Sequence, residues 1–242
     1  MIKSLSSDYR CIAPDHLGFG LSDKPKHFSY KPDAHAENFE NFIQELGLRN
    51  IILVVHDYGG PIGLNYAIHN PHNVSRIILM NTWMWSRRGD PELEKVDKYL
   101  KMRVGKFLFE RMNFATRYLL KQAVSNPLNL PQPILNHYIN AFPTRESRKS
   151  AIVMARELVE SRDWYDSLWR ARDMIADIPT LLLWGMEDPF IEVGALDLWH
   201  QTFNTQRMIR LANCGHLIQE EQETQIPRLI RDFLRDMEAE GH

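Results

Sequence analysis

The run Ile51-Ile52-Leu53-Val54-Val55 constrains this chain more than any other stretch. Consecutive aliphatic residues, mostly β-branched, read as a strand covered on both faces, as in a parallel sheet. The run stops at His56-Asp57, and Gly59-Gly60 opens a helix that continues to about Asn70. So little chain separates strand from helix that the turn must be sharp. The small residues Gly59, Gly60 and Gly63 let the helix lie close to the strand. An acid on such a turn projects beyond the strand's carboxyl end, with a helix N-terminus behind it. That is the geometry of a nucleophile elbow, G-x-S-x-G in its serine form, written here as Val55-x-Asp57-x-Gly59. An aspartate at a strand end before Gly-Gly also serves as a plain helix N-cap, so the elbow alone leaves both readings open.

The flanking chain supplies the rest of an α/β architecture. Tyr9–Pro14 reads as a short buried strand running into a turn-rich loop through Gly18, Gly20 and Pro25. Those two glycines lack the third glycine and the following helix of a phosphate loop. A helix follows, capped by Asp33, with Phe39, Phe42, Ile43 and Leu46 at helical spacing and a stop at Gly47. After the elbow helix, Arg76–Met80 is another buried strand. Strand, helix, strand, helix, strand at this spacing predicts a parallel sheet. From about Thr82 to Ala176 only helical periodicity is found, punctuated by Pro127, Pro131, Pro133 and Pro143. The candidate helices are Leu93–Arg111, Ala115–Val124, Pro133–Ala141, Arg145–Glu160 and Trp164–Met174. The sheet then resumes at Thr180–Gly185 and Arg207–Leu211, with a helix over Val193–Phe203 and an amphipathic one from Ile226 to about Glu238. The expected division is a core of residues 1–81 and 177–242, with 82–176 as a helical lid.

Composition narrows the partners. A net charge of -2 gives no argument for nucleic acid or an anionic membrane, and no apolar run approaches the ~20 residues that span a bilayer. The N-terminus has no apolar signal region. Cys11 and Cys214 lie in or beside expected strands, and reduced thiols in a cytoplasmic protein are the default. No Cys/His cluster has metal spacing, and His69 and His72 around Pro71 read as a helix end.

Three polar residues follow expected strands at their carboxyl ends, where open α/β sheets place ligands. They are Asp57, Asp188 and His216, in the order nucleophile, acid, histidine of α/β-hydrolases. Each has a plainer reading, Asp188 as a turn before Pro189 and His216 as a cap. Their joint occurrence at matched positions favours chemistry. With the segments Tyr9–Pro25, Val54–Gly60, Met80–Trp83, Leu183–Asp188 and Gly215–Glu220, the chain resembles α/β-hydrolases of the haloalkane dehalogenase and epoxide hydrolase group, closest to the dehalogenases. The resemblance implies a lidded α/β-hydrolase fold that needs no cofactor and takes a small apolar haloalkane or epoxide and water. It also implies Asp57 as nucleophile, His216 as base and Asp188 as its orienting acid.

The chemistry agrees with that assignment. A carboxylate with an ordinary pKa of about 3.9 is already an anion and attacks without a base. Attack on an ester would give an anhydride, whereas attack on an sp³ carbon bearing a halide or epoxide oxygen gives a stable alkyl ester. His216 then serves the second step, activating the water that hydrolyses it. Trp83, Trp85 and Phe190 are candidate pocket residues.

Two departures from the family pattern stand out. The Trp that follows the nucleophile and donates to the halide is Tyr58 here. Its backbone N–H still serves one half of an oxyanion hole, while the changed side chain raises the epoxide reading, with Tyr99, Tyr118, Tyr138 and Tyr165 as candidate acids. The H-G-x-P loop that supplies the other oxyanion donor is missing, and Met1–Ser7 resembles the end of the helix after it. The chain is therefore expected to be an N-terminally truncated form lacking the first three strands of that fold. The third of these would lie between Tyr9–Pro14 and Ile51–His56, and each backbone group left buried and unpaired costs ~1–3 kcal/mol. Besides dehalogenase and epoxide hydrolase, a non-catalytic ligand-binding protein on this scaffold is the remaining alternative.

Overall fold

In a computed structural model, residues 1–240 are described. Four strands form one sheet in the order β1-β2-β3-β4, with β1 at Ile51–His56, β2 at Val74–Met80, β3 at Thr180–Gly185 and β4 at Gln206–Leu211. All neighbouring pairs are parallel. The aliphatic runs behave as their composition demands, since β3 is buried along its whole length and β2 almost so.

Alternation along the strands divides the core in two. Leu53, Val55, Ile77, Leu79, Leu182 and Trp184 face one side, where helices α2 (Pro32–Glu45), α3 (Gly59–His69) and α9 (Gly194–Thr202) cover them. Ile78, Met80, Leu181 and Leu183 face the other. There α11 (Gln225–Ala239) lays down Ile226, Ile230, Phe233, Leu234 and Met237 at helical spacing. The short α1 (Ile2–Leu5) adds Leu5 to that layer.

Between β2 and β3 the chain holds helices and turns and no strand, as expected, but it is more broken than its periodicity predicts. The first expected helix is two, α4 (Pro91–Lys101) and α5 (Arg103–Met112), because Met102 takes an extended conformation between them. Ala115–Gln122 forms a π turn and a 3₁₀ turn. α6 (Gln132–Asn140), α7 (Lys149–Glu160) and α8 (Arg162–Arg170) follow. The short α10 (Ile218–Glu221) lies just after His216.

Two expectations need correcting. Tyr9–Pro14 is not a strand. A strand exists only as part of a hydrogen-bonded ladder, and among the described residues the β1 ladder pairs with β2 alone. Tyr9 and Cys11 instead pack at the margin of the second core layer. Asp33 does not cap α2, because Pro32 begins that helix and Lys31 stands at the cap. Gly47, at φ 59°, ends α2 as expected, since an L side chain rarely adopts that backbone.

Candidate active site

Register brings the polar groups together. Val55 pairs with Leu79 and Leu79 with Leu182, so β1, β2 and β3 end side by side. The residues just past those ends are Asp57, Asn81 and, a short turn further, Asp188.

Asp57 sits on the turn between β1 and α3 with φ 47°, a left-handed conformation unusual for a non-glycine residue. Neighbouring groups hold it there. Its N–H donates to the Asn81 carbonyl at 3.1 Å. Its carbonyl accepts the Thr82 hydroxyl at 2.5 Å and the Gly60 N–H at 3.0 Å. The glycine is obligatory for packing, because a Cβ on Gly60 would stand 1.8 Å from Thr82 Oγ1. The resulting elbow presents the Asp57 carboxylate outward, with 43% of its side chain exposed. The first N–H groups of α3, beginning at its cap residue Tyr58, lie behind it.

His216 comes to this carboxylate from the loop after β4. Its Nε2 lies 3.8 Å from Asp57 Oδ1, and its Nδ1 lies 2.8 Å from Asp188 Oδ2. The first distance is too long for a hydrogen bond and the second is ideal for one. The Asp188 side chain is 1% exposed and its Oδ1 accepts the N–H groups of Phe190 and Ile191 at 2.7 and 3.1 Å. Burial by itself would raise the Asp188 pKa. The hydrogen bond and charge of His216, with those two N–H donors, outweigh it and hold the carboxyl below its ordinary value. An ionised Asp188 in turn demands the proton on Nδ1, which leaves Nε2 free to take one. For His216 burial works downward, but the Asp188 hydrogen bond and the Asp57 and Asp188 charges win, and the imidazole is raised.

Sequence reasoning did not single out Asn81 and His56, and the structure places both here. Asn81 is fully buried. Its Nδ2 donates to Asp188 Oδ2 at 2.8 Å and to the Gly185 carbonyl, and its Oδ1 accepts the Gly185 N–H at 2.7 Å. It therefore fixes both the acid and the end of β3. The available signal was two polar residues, Asn81-Thr82, closing a strand that is otherwise buried and apolar. His56 Nε2 lies 2.8 Å from the His216 carbonyl. Burial first, then the neighbouring His216, lowers the His56 pKa to about 4. Neutral at pH 7, it must carry its proton on Nε2 to donate there.

The other expected residues fall differently. Trp83 is buried edge-to-face against Tyr58, with ring centroids 5.0 Å apart. Phe190 is partly exposed and stands 5.3 Å from the His216 ring. Trp85 packs on the core layer between sheet and helices. It packs with Trp169 and Trp199 at 5.0 and 5.4 Å, because three indoles fill the layer under α9. The Tyr58 phenol is also spoken for, since it donates to the Met154 carbonyl on α7 at 2.5 Å. Its single proton is thus committed to α7. Burial, with Tyr165 next, raises that phenol well above its ordinary pKa.

The four tyrosines between β2 and β3 can now be ranked. Tyr99 and Tyr118 are exposed, and Tyr138 donates to Glu220 Oε1 at 2.6 Å. Tyr165 is fully buried, 6.3 Å from the Trp83 ring, and its hydroxyl lies beside the Tyr58 phenol and within the field of the Asp57 charge.

A nucleophile elbow, an acid and a histidine at the carboxyl edge of a parallel sheet define an α/β-hydrolase. The pattern of the alpha/beta hydrolase fold family matches residues 1–223, and the chain belongs to that family. Among proteins it resembles, haloalkane dehalogenase 2 of Mycobacterium bovis (strain ATCC BAA-935 / AF2122/97) is 29% identical over 234 residues, covering 95% of this chain and 80% of that one. Epoxide hydrolase 3 of Xenopus tropicalis is 27% identical, covering 97% of this chain and 66% of that one. The crystal structure of haloalkane dehalogenase DbeA from Bradyrhizobium elkani USDA94 superposes with a TM-score of 0.87 at 26% identity, covering 98% of this chain and 84% of that one. The chain is a hydrolase of that family, similar to haloalkane dehalogenases and epoxide hydrolases.

Proposed function

We propose that the protein cleaves carbon–halogen bonds of small haloalkanes through an ester on Asp57, with residues 82–176 acting as a lid over the site. The observation that carries this reading is an aspartate, not a serine, on the elbow, 3.8 Å from a histidine nitrogen it does not hydrogen-bond. A serine would need that bond to lose its proton, and a carboxylate does not. Asp57 Oδ attacks the sp³ carbon, the carbon–halogen bond breaks, and the halide leaves with the electron pair. His216 Nε2 then takes a proton from water as the oxygen attacks the Asp57 carbonyl carbon. The Tyr58 N–H stabilises the negative oxygen that forms. Collapse expels the alkoxide, which takes the proton from His216 and leaves as alcohol. The Asp57 carboxylic acid, carrying the second proton of the water, then gives it up through His216 to solvent and regains its charge.

The test is release of bromide and alcohol from a primary bromoalkane. The Asp57→Ala variant is expected to release neither, and undiminished turnover by that variant would end the proposal.

Tyr165 supports a second reading. A buried phenol that lies within the field of the Asp57 charge, beside a Tyr58 hydroxyl whose own proton goes to Met154, suits protonation of an epoxide oxygen while Asp57 opens the ring. Under that reading diol forms from epoxides, and Tyr165→Phe lowers diol formation by about 10²-fold or more. An unchanged rate in that variant would exclude the tyrosine.

A further inference from the structure

The histidine loop is fastened on its far side to the helical segment, and one carboxylate carries much of the fastening. Glu221 Oε1 accepts the Gly215 N–H at 2.6 Å, one residue before His216. Its Oε2 accepts the Ser125 N–H at 3.0 Å, the Ser125 hydroxyl at 2.5 Å and Asn129 Nδ2 at 2.9 Å. The backbone repeats the link, since the N–H groups of His216 and Leu217 donate to the Ala123 carbonyl at 2.7 and 3.2 Å. The fit is close: a Cβ on Gly215 would stand 2.7 Å from that carbonyl and 2.9 Å from the Ser125 nitrogen. Ala123, Val124, Leu130, Leu135 and Leu217 enclose the joint in an apolar cluster of its own.

None of these groups touches the reacting atoms, yet they bear on the base. The His216 ring is held by Asp188 and its carbonyl by His56. Gly215, lacking a side chain, is the natural pivot for the whole residue, and Glu221 Oε1 is what holds its N–H. A carboxylate can accept at both oxygens together. An amide in its place must turn an NH₂ donor toward either Gly215 or the Ser125 and Asn129 donors. We propose that Glu221 is a positioning residue that sets the His216 ring against Asp57 and ties that setting to residues 123–129, so that closure of the lid base and alignment of the base are one event. The kinetic consequence rests on the hydrolytic function proposed above; the structural consequence does not.

The experiment uses the full chain with Glu221→Gln. Histidine titration is followed by NMR on ¹³C-labelled protein, with His216→Asn assigning the resonance. The ring faces Asp57, Asp188 and His56, so a displaced ring loses its carboxylate partners. Its titration is expected to fall toward that of an exposed histidine, and an unchanged titration overturns the proposal. Rapid-quench measurements with a bromoalkane give the second readout. Ester formation is expected to stay within about twofold while ester hydrolysis slows by about tenfold or more, so that alkyl-enzyme accumulates. Equal slowing of both steps overturns the proposal. Should the Gln variant not fold, Asn129→Ala keeps the Gly215 contact and removes one of the donors that anchor Glu221 Oε2. A smaller shift in the same direction is expected there, and none overturns the proposal. A wild-type chain that forms no adduct on Asp57 with bromoalkanes or epoxides would refute the hydrolytic function, leaving the titration to decide the role of Glu221.

Discussion

At Asp57 the backbone and the side chain answer to different demands. A left-handed conformation in a non-glycine residue costs ~1–3 kcal/mol, and the bonds to Asn81, Thr82 and Gly60 hold it in place. What that strain secures is a carboxylate held 3.8 Å from His216 Nε2, beyond hydrogen-bond reach. Under the proposed chemistry, His216→Ala should accumulate the alkyl ester, seen as added mass on the peptide containing Asp57. A single turnover of wild-type protein in ¹⁸O water should place the label in the Asp57 carboxylate, because water attacks that carbon and not the substrate. Label found only in the alcohol would contradict the scheme. The pH dependence follows from the same neighbours. His216 must be neutral to act, and its pKa is raised, so activity should rise with pH along a limb above the ordinary histidine value of about 6.5. Esterification removes the Asp57 charge, one of the groups that raise it. The limb measured for ester hydrolysis should therefore lie below the His216 titration in the free protein, and Asp188→Asn should lower both. Stability carries opposite signs. The raised His216 contributes fully below its unfolded pKa and loses that contribution as pH rises through the folded one. The depressed Asp188 contributes above its unfolded pKa of about 3.9 and loses it on acidification through the folded value.

The elements matter through how closely they approach. α3 can start where it does only because Gly60 lets it touch the Thr82 hydroxyl at the end of β2. Gly60→Ala is expected to destabilise the fold by about 1–3 kcal/mol, read from the urea midpoint, and to lower activity in proportion as the elbow moves. Unchanged stability would mean that the elbow has room to relax. Tyr58→Phe tests a different joint, the hydrogen bond from the elbow to the Met154 carbonyl on α7. Its loss should cost about 1 kcal/mol and leave ester formation intact if the phenol takes no part in leaving-group departure. These joints explain which elements were legible. β1, β2, β3 and α11 follow from runs and periods that local sequence displays directly. The break at Met102 between α4 and α5 does not, because the apolar spacing of the flanking residues continues across it. Tyr9–Pro14 has the composition of a strand, but composition cannot supply the neighbour that a ladder requires.

For the molecule as a whole, the sheet edge is the exposed point. Among the described residues β1 has a ladder on one side only, and Val54 in its middle is 41% exposed. An edge of this kind templates association between chains. Val54→Lys should reduce concentration-dependent association, measured by light scattering, while shifting stability by no more than about 0.5 kcal/mol. Greater association in the variant would place the contact elsewhere. The sequence by itself determined the order of the strands along the chain, the helical stretch between β2 and β3, and the places of Asp57, Asp188 and His216 past strand ends. Each of these is written in short-range pattern: aliphatic runs, helical spacing, and polar residues just past strand ends. Only the tertiary structure decided that Asn81 grips Asp188, that His56 holds the His216 carbonyl, that Trp85 belongs to an indole cluster and that the Tyr58 proton goes to Met154. Those outcomes depend on register between strands and on contacts between segments far apart in the chain. A buried polar atom takes whichever partner folding brings within reach, and one-dimensional pattern carries no record of that choice.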